Sequence, residues 1–174
     1  MLQLRAKDDP SGRFLALAER LVELGRMSGA AVIINDRPDI ARLSGAAGVH
    51  VGQHDLSVED ARRILDADAI VGVSTHDEAQ VDEALESAAT YIAVGPIFGT
   101  STKDTGYSAR GLELVRYAAG RGKPVVAIGG ISLARVASLI DAGASGLAVI
   151  TDLLAGNGPE SQTRQYLAAM RPTR

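Results

Sequence analysis

The 174-residue sequence has no cysteine and no tryptophan, and only 3% of its residues are aromatic. Without cysteine there are no disulfides, thiolate nucleophiles or Cys-ligated metals. So few rings argue against a stacking platform for single-stranded nucleic acid. A formal net charge of -3 offers nucleic acid no general basic surface either. Any anion must be met by a few placed Lys and Arg. No apolar run is long enough to cross a bilayer, and the opening residues MLQLRAKDDP lack the apolar centre of a signal peptide. The expected setting is the cytoplasm, with neither membrane nor nucleic acid as partner.

What is present is ordinary for a soluble globular chain: 46% hydrophobic and 22% charged residues, with 19 glycines. Glycine in that number suits tight strand-to-helix turns and loops whose backbone touches a ligand. Short apolar runs predict strands at Leu2–Arg5, Ala31–Asn35, Gly48–Val51, Ile70–Ser74, Tyr91–Val94, Pro124–Ile128 and Gly146–Ile150. Several are continuously apolar, as expected of parallel strands buried on both faces. Helical patterns lie between them, over Arg13–Met27, Pro38–Leu43, Val58–Leu65, Asp77–Ser87, Leu112–Gly120, Leu133–Ala142 and Gln162–Met170. In the first, Phe14, Leu17, Ala18, Leu21 and Leu24 form the expected core stripe. Ser11, Ser57 and Ser132 are the expected N-caps.

Strict alternation of strand and helix means a parallel sheet with helical crossovers. No linker or composition shift divides the chain, so a single domain over 1–174 is expected. An open doubly wound sheet is the first alternative. Against it, no GxGxxG follows the first strand. Polar signatures instead follow nearly every strand, which is how a TIM-type (β/α) barrel builds its site.

Gln3, Arg5 and Lys7 share one face of the first predicted strand, where a guanidinium fork and an ammonium suit a pyrophosphate. A solvated strand end is the plain alternative. The second strand ends in Asn35-Asp36, and the third is followed by Gly52-Gln53-His54-Asp55. Two carboxylates at adjacent strand ends suit a shared Mg²⁺, although either alone also reads as a turn residue or cap. Ser74, at the end of the fourth strand, suits either a phosphate or the cap of the next helix. The three histidines, His50, His54 and His76, form no legible Ser-His-Asp triad, and structural roles are expected for them. The irregular stretch from Gly95 to Tyr107 offers the three adjacent hydroxyls of Thr100, Ser101 and Thr102, and Lys103, to an anion, or is a solvated loop. Gly129-Gly130 and Ile150-Thr151 follow the last two strands, where barrels often bind phosphate.

In order, the segments QLRAK, IINDR, GVHVGQHD, GVSTH, VGPIFGTSTK, VVAIGGI and GLAVIT resemble the thiamine phosphate synthase family from Leu2 nearly to the end. The resemblance implies a transferase of thiamine biosynthesis. Aminopyrimidine methyl diphosphate would lose pyrophosphate, and its methylene carbon would be captured by the nitrogen of a thiazole phosphate, with CO₂ lost from a carboxylated thiazole. Carried over by position, Gln3, Arg5, Lys7, Asn35, Ser74 and Lys103 would hold the pyrimidine diphosphate. Arg5, Lys7, Ser74 and Lys103 would act in the chemistry. Asp36 and Asp55 would ligate Mg²⁺. Thr100 and Thr102 would meet the thiazole, and Gly130, Ile150 and Thr151 its phosphate.

The alternatives are a thiazole tautomerase, which would need no Mg²⁺, and an inactive protein that binds phosphorylated ligands. Family members normally begin with one more strand and helix, so the expectation is seven of eight βα units. The resulting unpaired strands would favour self-association into a homo-oligomer.

Overall fold

The computed structural model describes residues 1–99, 106–155 and 158–171. They form two compact units: Met1–Ser74 with Glu86–Thr90, and Thr75–Leu85 with Tyr91–Arg174.

The first unit contains β1 (Leu2–Leu4), α1 (Ser11–Ser28), β2 (Val32–Asn35), α2 (Pro38–Ser44), β3 (Gly48–Val51), α3 (Val58–Ile64) and β4 (Ile70–Thr75). Its strands lie side by side in chain order, all parallel, with Gln3 paired to Ile33, Asn35 to His50 and His50 to Gly72. A doubly wound sheet reverses its strand order at a switch point; none of these pairs does. β2 and β3 are buried at every position, the polar Asn35 and His50 included. Thr90 closes the unit: its hydroxyl accepts the Val71 N–H and one Arg62 N–H, and Arg62 also donates to the carbonyls of Ala69 and Ala88.

The second unit contains α4 (Glu78–Glu86), β5 (Tyr91–Val94), α5 (Gly111–Ala118), β6 (Val125–Ile128), α6 (Val136–Asp141), β7 (Gly146–Ala148) and α7 (Pro159–Ala169). Here too the strands are parallel and in chain order, with Ala93 opposite Val126 and Ala127 opposite Leu147. Two short 3₁₀ turns, Leu133–Arg135 and Thr151–Leu154, follow β6 and β7. No helix among the described residues is long and apolar enough to cross a membrane.

Every expected strand and helix is present, and the differences lie at ends and faces. The buried row of α1 is Phe14, Ala18, Val22 and Gly25. Leu17 and Leu24, expected in the core, are 42% and 52% exposed. The row keeps Phe14 and Ala18 but runs on through Val22 and Gly25, because at Gly25 the helix lies against Ala30 and Val32 too closely for a larger side chain. A Cβ on Gly25 would stand 2.6 Å from the Ala30 carbonyl oxygen.

The caps also differ. Ser57 caps α3 as expected, its hydroxyl accepting the Asp60 N–H at 3.0 Å. Ser11 is already helical, with Pro10 at the cap position. Ser132 makes no side-chain cap bond; Asp152, from the turn after β7, accepts the Leu133 N–H instead.

Candidate active site

In the first unit the expected residues gather where β1, β2 and β3 end. β1 stops at Leu4, so Arg5 and Lys7 stand beyond the strand; strand alternation does not set their direction. Gln3, Arg5 and Lys7 are all exposed. The Lys7 ammonium reaches back to β2, with Nζ 2.9 Å from Asp36 Oδ2. Asn35, the last residue of β2, is buried, at 5% exposure.

Asp36 follows in the left-handed region, with φ of 64°, the one described non-glycine residue there. Such a conformation disfavours most L residues, Asn and Asp least. It is held by the Asp36 N–H, which donates to the His50 carbonyl at 2.8 Å. The turn after β3 brings in Asp55. Its carboxylate accepts the Gly52 N–H at 2.8 Å. Crowding of the Asp55 carboxyl raises its pKa above the ordinary carboxylate value. The hydrogen bond to Asp36 and that neighbour's negative charge push the same way, against the Gly52 N–H and the Lys7 charge. The two carboxyls are thus close enough for each to feel the other's charge.

This arrangement fits a divalent cation. Among the described residues no group of three or more His, Cys, Asp or Glu could hold a metal. Two carboxylates are what Mg²⁺ usually takes from a protein, with water and phosphate oxygens completing its shell. A cavity of about 200 Å³ opens beside Asp36, lined by Ala6, Lys7, Asp9, Asn35, Asp36 and Arg37 among others. The Arg37 guanidinium is already engaged, donating to both Asp39 carboxylate oxygens and to the Ser11 hydroxyl. Its hydrogen bonds hold Asp39 below the ordinary carboxylate range.

Ser74 lies inside β4 at 2% exposure, its Oγ 2.8 Å from Nε2 of the buried His50. It does not cap α4; Asp77 does, its carboxylate accepting the Gln80 N–H. Gln53 donates its side-chain amide to the Ser74 carbonyl at 2.7 Å. Gln53 carried no expected role, and its only signal was its place in the turn between His50 and Asp55. Of the other histidines, His54 is exposed. His76, in the second unit, is buried, bonds the Gly95 carbonyl through Nδ1 and stacks on Tyr107 at 4.1 Å.

The second unit holds the residues expected at the thiazole phosphate. Gly129 and Gly130 both have positive φ, 88° and 64°. A Cβ on Gly130 would stand 2.5 Å from the Gly99 oxygen, and one on Gly129 2.6 Å from Pro96 Cα. Glycine is thus required here by the packing of the 96–99 segment, whatever else its N–H groups bind. Ile150 is 56% exposed, and Thr151 opens the 3₁₀ turn. Asp152, next in line, ties this turn down. Its carboxylate accepts both the Leu133 N–H and the Tyr166 hydroxyl. Burial, then that partner, raises the Tyr166 pKa. Thr100, Thr102 and Lys103 lie outside the described residues.

The fold agrees closely with a solved thiamine phosphate pyrophosphorylase from Pyrococcus furiosus. The TM-score is 0.88 at 28% identity, over 97% of this chain and 81% of that one. With it the architecture is that of a parallel α/β protein of the TIM-barrel type. Among curated proteins, the thiamine-phosphate synthase of a Roseiflexus species is 44% identical over 171 residues, 98% of this chain and 72% of the relative. That of Thermus thermophilus is 45% identical over 166 residues, 94% and 79% respectively. The family model described as thiamine monophosphate synthase matches residues 1–153, a span that takes in the paired aspartates after β2 and β3 and the glycines after β6. The chain belongs to the thiamine monophosphate synthase family.

Proposed function

We propose that this protein is a thiamine phosphate synthase that joins a pyrimidine methyl diphosphate to a thiazole phosphate, releasing pyrophosphate. The observation that carries the reading, in a chain of this family, is the Lys7–Asp36 pair beside an open cavity, with the Asp55 carboxyl near enough to feel both charges. The bond to break lies between the pyrimidine methylene carbon and the diphosphate oxygen. The electron pair leaves with the diphosphate, and the aminopyrimidine ring stabilises the resulting cation, so no protein nucleophile is needed. The thiazole nitrogen then supplies the pair for the new C–N bond.

What the protein must supply is positive charge on the departing oxygens, already in place before the bond breaks. Lys7 and Arg5 stand at the end of β1 for this purpose, and Lys103 joins them on the same reading. Lys7 now neutralises Asp36. Asp36 and Asp55 would hold Mg²⁺, which when bound supplies further charge to the diphosphate. Asn35 and Ser74 offer hydrogen bonds to the same group, and Gln3 to the pyrimidine. Thr100 and Thr102 would face the thiazole, and Gly130, Ile150 and Thr151 its phosphate. Both substrates are phosphorylated small molecules that do not cross membranes unaided, and we place the protein in the cytoplasm with them.

The test is a coupled assay with both heterocycles, following thiamine phosphate and pyrophosphate with and without Mg²⁺. Equal, Mg²⁺-dependent release of both products is expected. Turnover of a thiazole phosphate alone without Mg²⁺ would identify a tautomerase, and absence of both reactions a protein that only binds.

A further inference from the structure

A serine hydroxyl carries one proton, and an ionised diphosphate oxygen can only accept. For Ser74 to bond a diphosphate, its proton must point at the anion. Its oxygen must then take any further hydrogen bond from a donor. The Ser74 Oγ already has a partner at 2.8 Å, the Nε2 of His50, and both side chains are buried, at 2% and 7% exposure. A neutral imidazole has one nitrogen that donates and one that accepts. With Nε2 unprotonated, it would draw the Ser74 proton to itself. With Nε2 protonated, it donates to Oγ and leaves the Ser74 proton for the anion.

We propose that His50 is a positioning residue that donates Nε2–H to Ser74 and so directs the Ser74 proton to the diphosphate. The proposal rests on the diphosphate reading of this site and adds a residue to it. Two further bonds support the role. The Ser74 main chain is fixed separately, by the Gln53 amide on its carbonyl at 2.7 Å. The hydroxyl direction is therefore the remaining freedom, and His50 touches it. The main-chain carbonyl of His50 accepts the Asp36 N–H at 2.8 Å. One residue thus orients a hydrogen-bond donor through its side chain and a carboxylate through its backbone.

The test uses substitutions that separate donor from acceptor. His50→Gln keeps an N–H at similar reach, His50→Glu places an acceptor there, and His50→Leu removes both. Steady-state kcat and KM for the pyrimidine diphosphate are measured for these, for Ser74→Ala and for the His50→Leu/Ser74→Ala double variant. Binding of inorganic pyrophosphate with Mg²⁺ is measured independently by calorimetry. His50→Leu and Ser74→Ala are each expected to lower kcat/KM by about 10- to 100-fold. The double variant should fall less than about threefold below Ser74→Ala, because the two act as one unit. His50→Gln should stay within about threefold of the starting protein, and His50→Glu should fall at least as far as His50→Leu.

Additive losses in the double variant, or equal activity of the Gln and Glu variants, would overturn the proposal. If His50→Leu fails to fold, the Gln–Glu comparison decides alone. Normal turnover with additive losses defeats the role of His50 but not the reaction. Coupled losses in pyrophosphate affinity without any thiamine phosphate formation defeat the reaction but not the role of His50.

Discussion

Carboxylates serve opposite ends in the two units. In the first, Asp36 and Asp55 are neighbours, and the pKa of Asp55 is raised by partial desolvation of its carboxyl and, less, by Asp36. In the second, Asp82 and Asp152 are surrounded by donors. Asp82 accepts the Tyr117 hydroxyl and an Arg121 N–H, which hold it below the ordinary carboxylate range. Asp152 accepts an N–H and a hydroxyl. A carboxylate ringed by donors stabilises a fold; two neighbouring carboxyls with one ammonium between their charges still attract a cation. The difference teaches where to look for a cation: where carboxyls stand together with few donors around them, not where they are most numerous. The surface proposed for the thiazole phosphate in the second unit would be built differently, from the glycine backbone at Gly129 and Gly130.

The largest expected effect tests the opposed pair. Asp36→Ala or Asp55→Ala should reduce thiamine phosphate formation by about 100-fold or more, the loss expected when a metal ligand is removed. Circular dichroism should show an unchanged fold. Near-normal rates in both variants at saturating Mg²⁺ would end the comparison, since Asp36 and Asp55 would then be as structural as Asp82.

The next effect falls on stability in the second unit. Gly130→Ala must place a Cβ in the left-handed region, at about 1–2 kcal/mol, and against the Gly99 oxygen at 2.5 Å. A loss of about 5 °C or more in melting temperature is expected for a chain of this size. If the variant melts normally but binds thiazole phosphate weakly, the glycine serves the ligand and not the packing.

Asp152→Ala should cost about 2 kcal/mol, because it strands the hydroxyl of buried Tyr166 and the Leu133 N–H. Urea unfolding of this variant and of Tyr166→Phe would apportion the loss. An Asp152 variant as stable as the starting protein would mean that donors around a carboxylate do not mark a structural role here.

The smallest effect concerns pH. The Asp82 pKa lies below its ordinary value of 3.8 in the folded protein. The folded state therefore binds this proton less readily than the unfolded state does. The stabilisation is present above the ordinary value and is lost as pH falls through the lowered folded value. Asp82→Asn should be slightly less stable than the starting protein at about pH 6, and the gap should close toward about pH 2. Thermal scans across that range would show it; a gap independent of pH would assign the effect to shape and not charge.

The strand and helix pattern was legible because buried parallel strands are written as short apolar runs and crossover helices as 3.6-residue stripes. Gly48–Val51 and Tyr91–Val94 have the boundaries their sequences predict. Ends were less legible. β7 stops at Ala148, two residues before its apolar run does, because a 3₁₀ turn takes over at Thr151. The ordered motifs, read as a resemblance, named the family that the relatives bear out. They also named Asp36 and Asp55, which the turn geometry brings together.

By itself, the sequence determined the alternation of elements, the family and the chemical types available at each strand end. Those depend on residue identity and local spacing. Only the tertiary structure decided which partner each polar group takes. It faced Val22 and Gly25 of α1 inward, so that Gly25 and not Leu24 meets the chain at Ala30. It gave the cap before Leu133 to Asp152 and the cap of α4 to Asp77, and it released Ser74 to His50. The reason is that hydrogen bonds and close packing depend on distance between residues far apart in sequence. Those distances exist only once the strands are paired in register.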